Sequence, residues 1–288
     1  MNSAPMSVQQ QHALLEKNLG SARGRAIIAA SMGNPLREQR DYASVGRKAF
    51  LVDALPNGVE PTYEKDIKAR AFIVGEEGTN VQTVIKGKRV HFPLFELTAN
   101  PEIPLMEITS RRFNVINRTV QKHTAEIGLK EDVKVFGTID AACDDPTNPN
   151  PDIVCPGVLT SSALIDAFAN IEQWDLRVAY VFCNAKDYAD VRKWDRDVLD
   201  PASQAELLRT GCRDRLWGAN IVVSRVIPRG TIYLTAEPEF FGRIPVRYDL
   251  TVLSADDPKN RLVGFSMFEA IGVGMFNPKG AQRLKIVR

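Results

Sequence analysis

The sequence predicts an α+β protein with parts that are too extended to be stable on their own. Three observations predict it: two strand patterns around a glycine-rich tip, a long helix pattern with a thin apolar stripe, and a C-terminal region of mixed helix and strand patterns. The 288 residues suffice for one large domain or two ordinary ones. With 44% apolar and 25% charged residues, the composition is that of a soluble globular protein, neither disordered nor membrane-spanning.

The first 49 residues are poor in aromatic side chains and predict a basic, extended arm. Residues 1–50 contain seven basic and three acidic side chains, a balance of +4, whereas the whole chain carries +2. Such an arm can contact nucleic acid, an acidic neighbour or only water, and its charge does not choose among these. No basic, then apolar, leader is visible, and no window approaches about 18 consecutive apolar residues. We therefore expect no secretory signal, no membrane partner and a cytoplasmic origin.

Two strand patterns predict a long two-stranded hairpin. Apolar and other side chains alternate over residues 67–73 and again over 90–94, which is the period of a half-buried strand. Between them, Gly75, Gly78 and Gly87 mark a flexible, charged tip. Because an isolated two-stranded hairpin is only marginally stable in water, we expect this one to need an external partner.

Residues 110–142 predict one long amphipathic helix with a wide polar face. Pro101 and Pro104 keep the chain extended before it. Thr109 or Ser110 is the expected N-cap. The predicted apolar stripe consists of Phe113, Ile116, Val120 and Ile127 and, after a bend or rotation at Gly128, of Leu129, Val133, Phe136 and Ile139. A helix with so little apolar surface gains its stability from packing partners, so we expect it to lie against a neighbouring element or chain.

The remainder of the chain predicts a second region of helices and strands. A loop rich in Pro, Asp and Asn at residues 144–157 marks the boundary. The predicted elements are a helix at 162–174, a strand at 177–184, helices at 185–194 and 201–210, two strands joined at 228–230, and a strand-rich return over 243–288 with turns at 256–258 and 277–280.

No side chains have the spacing of a catalytic or dinucleotide site. The histidines are far apart and lack a second metal-ligand pair: His12, His91 and His123. Gly272 and Gly274 form a GxG without a third glycine or a following helix, so they predict a tight strand crossing. Ser266 lacks the second glycine of a nucleophile elbow and is predicted to be an ordinary strand serine. We expect no catalytic residue, no cofactor and no enzyme activity.

Metal binding and disulfides are not expected either. The acidic loop (Asp144, Asp145 and Asp152) lacks the glycine pivot and closing glutamate of a calcium loop, which leaves a weak structural cation as the alternative. The four cysteines, at positions 143, 155, 183 and 212, show no zinc spacing and are predicted to be reduced structural thiols. An intersubunit disulfide in the region of Cys143 and Cys155 is the alternative.

The order of these elements resembles the major capsid proteins of tailed bacteriophages, which have the Hong Kong 97 type fold. The residues that carry the resemblance are FPLFELTANPEIPLMEITSRRFNVINRTVQ, similar to a hairpin returning into the spine helix, and the late-strand segments VIPRGTIYLTA and FSMFEAIGVGMFNP. The similarity is one of organisation over nearly the whole chain, without a short invariant motif.

The resemblance implies a structural protein that assembles as hexamers and pentamers into an icosahedral shell around phage double-stranded DNA. It would be located in the virion capsid after assembly in the host cytoplasm. The partners would be copies of itself, packaged DNA by non-specific contact, and portal, scaffolding and cement proteins. The implied divisions are an N-arm at 1–49, an extended loop at 50–98, a peripheral domain at 99–145 and 243–276, and an axial domain at 146–242 and 277–288.

Charged side chains of the arm, the hairpin and the start of the spine helix are the expected inter-subunit contacts: Arg37, Arg40, Lys68, Arg70, Glu76, Glu77, Lys86, Lys88, Arg89, Arg111 and Arg112. The spine-helix stripe would pack on a small sheet of its own chain, and the polar face would meet the shell interior or a neighbour's arm. Three alternatives stay open: an encapsulin-like bacterial nanocompartment enclosing a cargo enzyme, a nucleic-acid-binding module that uses the basic arm, and an enzyme of unrecognised type.

Overall fold

Helices and strands are described for residues 40–65, 88–110, 114–194 and 215–288 of the protein, in a computed structural model. The strands in chain order are β1 Leu51–Ala54, β2 Thr62–Lys65, β3 Lys88–His91, β4 Leu94–Ala99, β5 Glu102–Pro104, β6 Ile153–Pro156, β7 Val178–Cys183, β8 Arg215–Leu216, β9 Ala219–Val223, β10 Thr231–Ala236, β11 Gly242–Ser254, β12 Leu262–Gly272, β13 Gly274–Met275 and β14 Ala281–Val287. The α-helices are α1 Leu105–Ser110, α2 Val115–Cys143, α3 Ser161–Glu172, α4 Ala185–Val191 and α5 Pro238–Phe241. The predicted strand at 67–73, Phe113 and the predicted helix at 201–210 lie outside the described residues.

The contacts of the chain define two compact units. Described residues of the first are 40–42, 98–110, 114–127 and 251–267. Those of the second are 43–65, 88–97, 128–194, 215–250 and 268–288. Helix α2 and strands β11 and β12 contribute residues to both.

One six-stranded sheet contains the long strands that return at the end of the chain. Its order is β1-β11-β12-β4, with β13 paired to β11 and β5 paired to β12. Strand β1 runs parallel to β11, with Leu51 opposite Arg243. In the predicted turn between β11 and β12, the Asp257 carboxylate accepts a hydrogen bond from the Lys259 amide. Ser266 is a strand serine as predicted, and its hydroxyl donates to Asn100.

The hairpin has a different boundary from the predicted one. Strands β2 and β3 pair antiparallel, with Thr62 opposite His91. The prediction of a single strand over 90–94 is wrong. Strand β3 ends at His91, and β4 begins at Leu94 in the six-stranded sheet that contains β11 and β12. Pro93, which has no N–H to donate to a strand ladder, lies at the break. Phe92 beside it is buried.

The long predicted helix is present, but its N-cap and its buried face differ from the prediction. Its cap is Asn114, whose Oδ1 accepts the Asn117 amide at 3.0 Å. The expectation of a Thr109 or Ser110 cap is wrong, because both hydroxyls donate to carbonyls of the preceding short helix α1.

The predicted shift of the buried stripe after Gly128 is confirmed, because each four-residue step turns the buried face by about 40° and the predicted members Phe136 and Ile139 are buried. Buried positions continue at four-residue spacing from Ile127 through Glu131 and Val135 to Ile139. Val133, predicted to lie on the stripe, is 47% exposed. Glu131 lies in the middle of this buried stripe, and a charged side chain normally indicates a solvated face. The sequence pattern therefore did not predict the four-residue spacing.

The C-terminal half of α2 lies against the second unit's own core. The Phe136 ring contacts the rings of Phe182 in β7 and Tyr233 in β10, with centroids 5.3 and 6.2 Å away. Ile244 of β11 and Ile271 of β12 belong to the same buried cluster. The helix therefore packs on more than the small sheet that the resemblance implied.

The other six-stranded sheet has the order β6-β14-β10-β7-β9-β8. Strand β7 lies between β10 and β9, so the two strands joined at residues 228–230 are not neighbours. Helix α3 covers the sheet with an apolar face at helical spacing: Leu164, Ala167, Phe168 and Ile171. Thr160 caps this helix through its hydroxyl, which accepts the Ala163 amide at 3.3 Å.

Candidate functional site

A set of polar contacts, here called the anchor, holds residues 44–47, the end of the predicted arm, within the second unit. Asp132, on helix α2, is fully buried and accepts three hydrogen bonds from this segment. The donors are the Ser44 hydroxyl at 2.7 Å, the Val45 amide at 2.9 Å and the Gly46 amide at 2.8 Å. A Cβ atom on Gly46 would lie 2.7 Å from the Asp132 carboxylate, so the turn needs glycine here.

Arg47 continues the anchor with three ion pairs. Its Nε donates to Glu131 Oε1 of α2 at 2.5 Å, Nη1 to Asp249 Oδ1 of β11 at 3.1 Å, and Nη2 to Glu269 Oε2 of β12 at 3.3 Å. We call Arg47, Glu131, Asp249 and Glu269 the Arg47 cluster. Burial alone would lower the pKa of Arg47, but the hydrogen bonds and charges of Glu131 and Asp249 raise it.

The three carboxylates of the Arg47 cluster have different environments. Burial, and then the charge of Glu131, raise the pKa of Glu269 to about 7 although Arg47 opposes the shift. Burial also raises the pKa of Glu131, against the hydrogen bond from Arg47. Asp249 is partly desolvated, but hydrogen bonds from the Leu250 amide and Arg47 lower its pKa.

The first unit contains a separate ion pair at residue 41 of the predicted arm. Arg118 of α2 donates to both carboxylate oxygens of Asp41, at 2.5 and 2.7 Å. Such a bidentate pair fixes orientation as well as distance. Arg118 was predicted to lie on the polar face of the spine helix, and this part of that face contacts residue 41 of its own chain.

The base of the hairpin is held by an aromatic and ionic contact set in the second unit. The Tyr63 and Phe92 rings lie 5.4 Å apart, and the Arg243 guanidinium lies 5.2 Å from the Tyr63 ring centroid. Arg243 Nη1 also donates to Asp53 Oδ2 at 2.5 Å. A Cβ atom on Gly274 would lie 2.0 Å from the Phe92 ring, which confirms the predicted close strand crossing at the GxG.

Arg283 of β14 organises the acidic loop in the second sheet. The Arg283 side chain is 5% exposed and forms ion pairs with Asp140, Asp144 and Asp152. The hydrogen bond from Arg283 lowers the pKa of Asp144, and Arg283 with Lys285 lowers the pKa of Asp152 against its partial burial. The loop carboxylates are thus held by cations of the chain, and no group that could hold a metal ion is found among the described residues.

Three of the described cysteines are free thiols: Cys143, Cys155 and Cys183. Burial raises the pKa of Cys143 and of Cys183 to about 12. The Cys155 thiol donates to the Val158 carbonyl at 2.9 Å. Across the described parts of the chain, no helix is both long and apolar enough to cross a membrane.

The predicted inter-subunit residues fall into two groups. Arg40, Lys88 and Arg89 are described, and all three are exposed. Arg89 pairs with Glu64 across the hairpin at 3.1 Å, and both side chains are 74% exposed. The remaining predicted contacts lie outside the described residues: Arg37, Lys68, Arg70, Glu76, Glu77, Lys86, Arg111 and Arg112.

Sequence reasoning missed the residues that build the anchor, notably Arg47, Asp132 and Glu269. The available signal was position: Glu131 lies four residues after Ile127, and Asp132 lies four residues before the apolar Phe136. Glu269 likewise follows Met267 at the spacing that places strand residues on one face. The sequence did not indicate which cation pairs with these carboxylates, because Arg47 and Glu269 are 222 positions apart.

The sequence matches one family over more than half of its length. A model of the family described as "Phage capsid protein" matches residues 105–284. No curated protein sequence matches the chain.

Solved structures similar to this fold are capsid and phage proteins of low sequence identity. The capsid of cyanophage P-SCSP1u has a TM-score of 0.69 and 15% identity, over 88% of this chain and 91% of that one. The structure of Microbacterium phage Oxtober96 has a TM-score of 0.67 and 12% identity, over 88% and 94%. The capsid of an empty GTA particle has a TM-score of 0.62 and 18% identity, over 93% and 98%. These likenesses confirm the fold class predicted from the sequence.

Proposed function

Because the chain belongs to the phage capsid protein family, we propose that it assembles as hexamers and pentamers into an icosahedral shell enclosing phage double-stranded DNA. The observation that carries the proposal is the extent of the fold likeness: 88% to 93% of this chain superposes on more than nine-tenths of each of the three capsid and phage chains above. An arrangement shared from one end of such chains to the other supports a shared architectural role. The family is structural, and we propose no catalytic role.

We propose that the arm at 1–49 and the extended loop at 50–98 reach neighbouring subunits. The described hairpin strands support this, because five of their side chains are exposed on a ribbon of only two strands: Thr62, Glu64, Lys88, Arg89 and His91. Two strands are marginally stable alone, so contact with a second copy would stabilise them. The base of the ribbon is fixed by Phe92 and Tyr63, which would direct it at a constant angle toward that copy.

The two remaining divisions are proposed as the domains of the shell subunit. Residues 99–145 and 243–276 would form the peripheral domain, with α2 as its spine helix. Residues 146–242 and 277–288 would form the axial domain at capsomer centres. The six-stranded sheet that contains β7 shares one apolar core with helices α3 and α4. This core supports the proposal of a separate axial domain.

Charged side chains would set the register between subunits. Arg40, Lys88 and Arg89 are exposed and therefore accessible to a neighbour. Exposed ion pairs contribute little individually, but repetition around a shell multiplies them. We propose the same role for the arm, hairpin-tip and helix-entry residues predicted above. We also propose that assembly takes place in the host cytoplasm. Further partners would be DNA and portal, scaffolding and cement proteins.

Electron microscopy and size-exclusion chromatography of the expressed full-length chain test the proposal. We expect capsomers and round shells of uniform diameter. A chain that stays monomeric at high concentration would contradict it. Shells isolated from phage-producing cells should protect DNA from nuclease; shells that instead contain a co-purified enzyme would identify an encapsulin-like compartment.

A charge swap in the hairpin separates contacts within the chain from contacts between chains. Arg89→Glu removes both its pair with Glu64 and any contact with a neighbour, and we expect about tenfold fewer shells at limiting concentration, equivalent to ~1.4 kcal/mol. The double variant Glu64→Arg/Arg89→Glu restores the pair within the hairpin. If Arg89 contacts a second copy, the double variant remains impaired; full recovery of assembly would contradict that contact.

A further inference from the structure

The Arg47 cluster holds more negative than positive charge in a buried place. One guanidinium is shared by three carboxylates from three elements, α2, β11 and β12. Asp132, the fourth carboxylate of this region, is already satisfied by the Ser44 hydroxyl and by two backbone amides. With every group ionised, the two buried carboxylates, Glu131 and Glu269, would share the single positive charge of Arg47, which leaves an excess of one buried negative charge. Buried charges without partners are costly, so this excess needs a counter-charge or a proton.

Glu269 is the carboxylate whose charge is least compensated. It is 2% exposed, and its hydrogen bond from Arg47 is the longest of the three, at 3.3 Å. Its Oε1 atom is buried without a hydrogen-bond partner. Glu131 is equally buried but has the 2.5 Å bond to Arg47, whereas the Asp249 side chain is 73% exposed and solvated by water. A proton on Oε1 of Glu269 would remove one buried charge and its repulsion with Glu131.

We propose that Glu269 binds a proton near neutral pH and makes the Arg47 cluster a pH-sensitive joint between residues 44–47 of the predicted arm, helix α2 and strands β11 and β12. With the proton bound, the cluster holds these four parts together at a lower electrostatic cost. With the proton lost, repulsion among the carboxylates destabilises the joint. The proton is preferred over a neighbour's cation as the occupant because the unpartnered oxygen is inaccessible from the surface.

The direction of the pH effect follows from the pKa of Glu269. That pKa is about 7 in the folded protein, compared with an ordinary value of 4.5. Between these values the folded protein keeps a proton that the unfolded chain has released. The stabilising contribution is therefore complete below pH 4.5 and is lost as the pH rises through 7. The difference between the two pKa values corresponds to a fall of roughly 300-fold in the folding equilibrium constant over this range because of this group.

Urea unfolding of the full-length chain between pH 5 and 8.5 tests the proposal, at one protein concentration and in one assembly state. We expect the wild type to lose stability up to about pH 7 and Glu269→Gln to lack this loss. Glu131→Gln should move the loss to lower pH, because Glu131 raises the pKa of Glu269. Asp249→Asn, the exposed control in the same cluster, should keep the loss. A Glu269→Gln profile parallel to the wild type would overturn the proposal.

Infrared spectroscopy provides a second readout that does not depend on unfolding. The wild type should show a protonated-carboxyl band that disappears as the pH rises through neutrality, and this band should be absent in Glu269→Gln. If Glu269→Gln does not fold, Glu131→Gln decides, because its band should disappear at a lower pH than that of the wild type. A wild-type protein without any such band, or a band unmoved by Glu131→Gln, would overturn the proposal.

Discussion

The ring of Phe92 occupies the space that a side chain at Gly274 would need. A Cβ atom at position 274 would lie 2.0 Å from the ring, closer than any nonbonded carbon pair can approach. The turn from the hairpin into its sheet therefore depends on the absence of one methyl group in strand β13. This contact fixes the base of the hairpin before any neighbour is involved.

Gly274→Ala should destabilise the protein by roughly 1–3 kcal/mol, because the Phe92 ring has to move from a packed position. Equilibrium urea unfolding measures the change. Gly137→Ala is the matched control: no atom lies within 4 Å of its added Cβ, and it lies within α2. The control should be neutral or stabilise by about 0.5–1 kcal/mol through helix propensity. Equal stability of the two variants would contradict the packing argument.

Asp132→Ala should loosen the segment at residues 44–47. It leaves the amides of Val45 and Gly46 without their acceptor, at a cost of roughly 1–3 kcal/mol per buried group. Limited trypsin digestion after Arg47 or Lys48 should become faster, and urea unfolding should shift to lower concentration. Asp166→Ala, an exposed aspartate of α3, is the control and should change neither measurement. Unchanged cleavage in Asp132→Ala would show that the anchor lies elsewhere.

Arg283→Met should reduce the loss of folding stability that occurs as the pH falls into the acidic range. Asp144 and Asp152 have pKa values lowered in the folded protein, so they contribute stability above their ordinary pKa of 3.8 that is lost as the pH falls further. Without Arg283, the protein should be less stable at pH 6, and its further loss of stability between about pH 4 and 2 should be smaller. Lys285→Met, which touches only Asp152 of this set, should show a weaker form of the same change. An acid limb as steep as in the wild type would contradict the assignment.

The thiols of Cys143 and Cys183 should react slowly with alkylating reagents in the native protein. Burial raises both pKa values to about 12, so very little reactive thiolate is present at pH 8. Mass spectrometry of iodoacetamide-treated Cys212→Ser protein measures this without interference from the fourth cysteine. Addition of urea to the same sample should make all three remaining cysteines react. Rapid native labelling of Cys183 would contradict its burial.

The apolar periodicities predicted the elements, whereas the polar connections between them were not predictable. Strand β7 is a short continuous apolar run and helix α3 follows a period of 3.6, and the structure has both within a few residues of the predicted bounds. The anchor at Asp132 was not predicted, because a carboxylate in a helix is usually solvated and its partners are backbone amides that no sequence pattern marks.

Arg283 shows the same limit in the second sheet. It occupies a strand position where an arginine normally indicates solvent, yet it is buried under carboxylates that come from a helix end and a loop. Tertiary pairing between distant residues decided its environment. The assembly residues of the hairpin stay predictions, since exposure of Lys88 and Arg89 is compatible with contact but does not establish it.

The pairing of Arg47 with Glu269, 222 positions later, has a consequence for the order of events on the ribosome. The Arg47 cluster cannot be completed until nearly the whole polypeptide has emerged, because its last carboxylate belongs to strand β12. Strand β1 also waits for β11 before it has a parallel neighbour. During synthesis, therefore, residues 47–54 lack these two late attachments until β11 and β12 have been made.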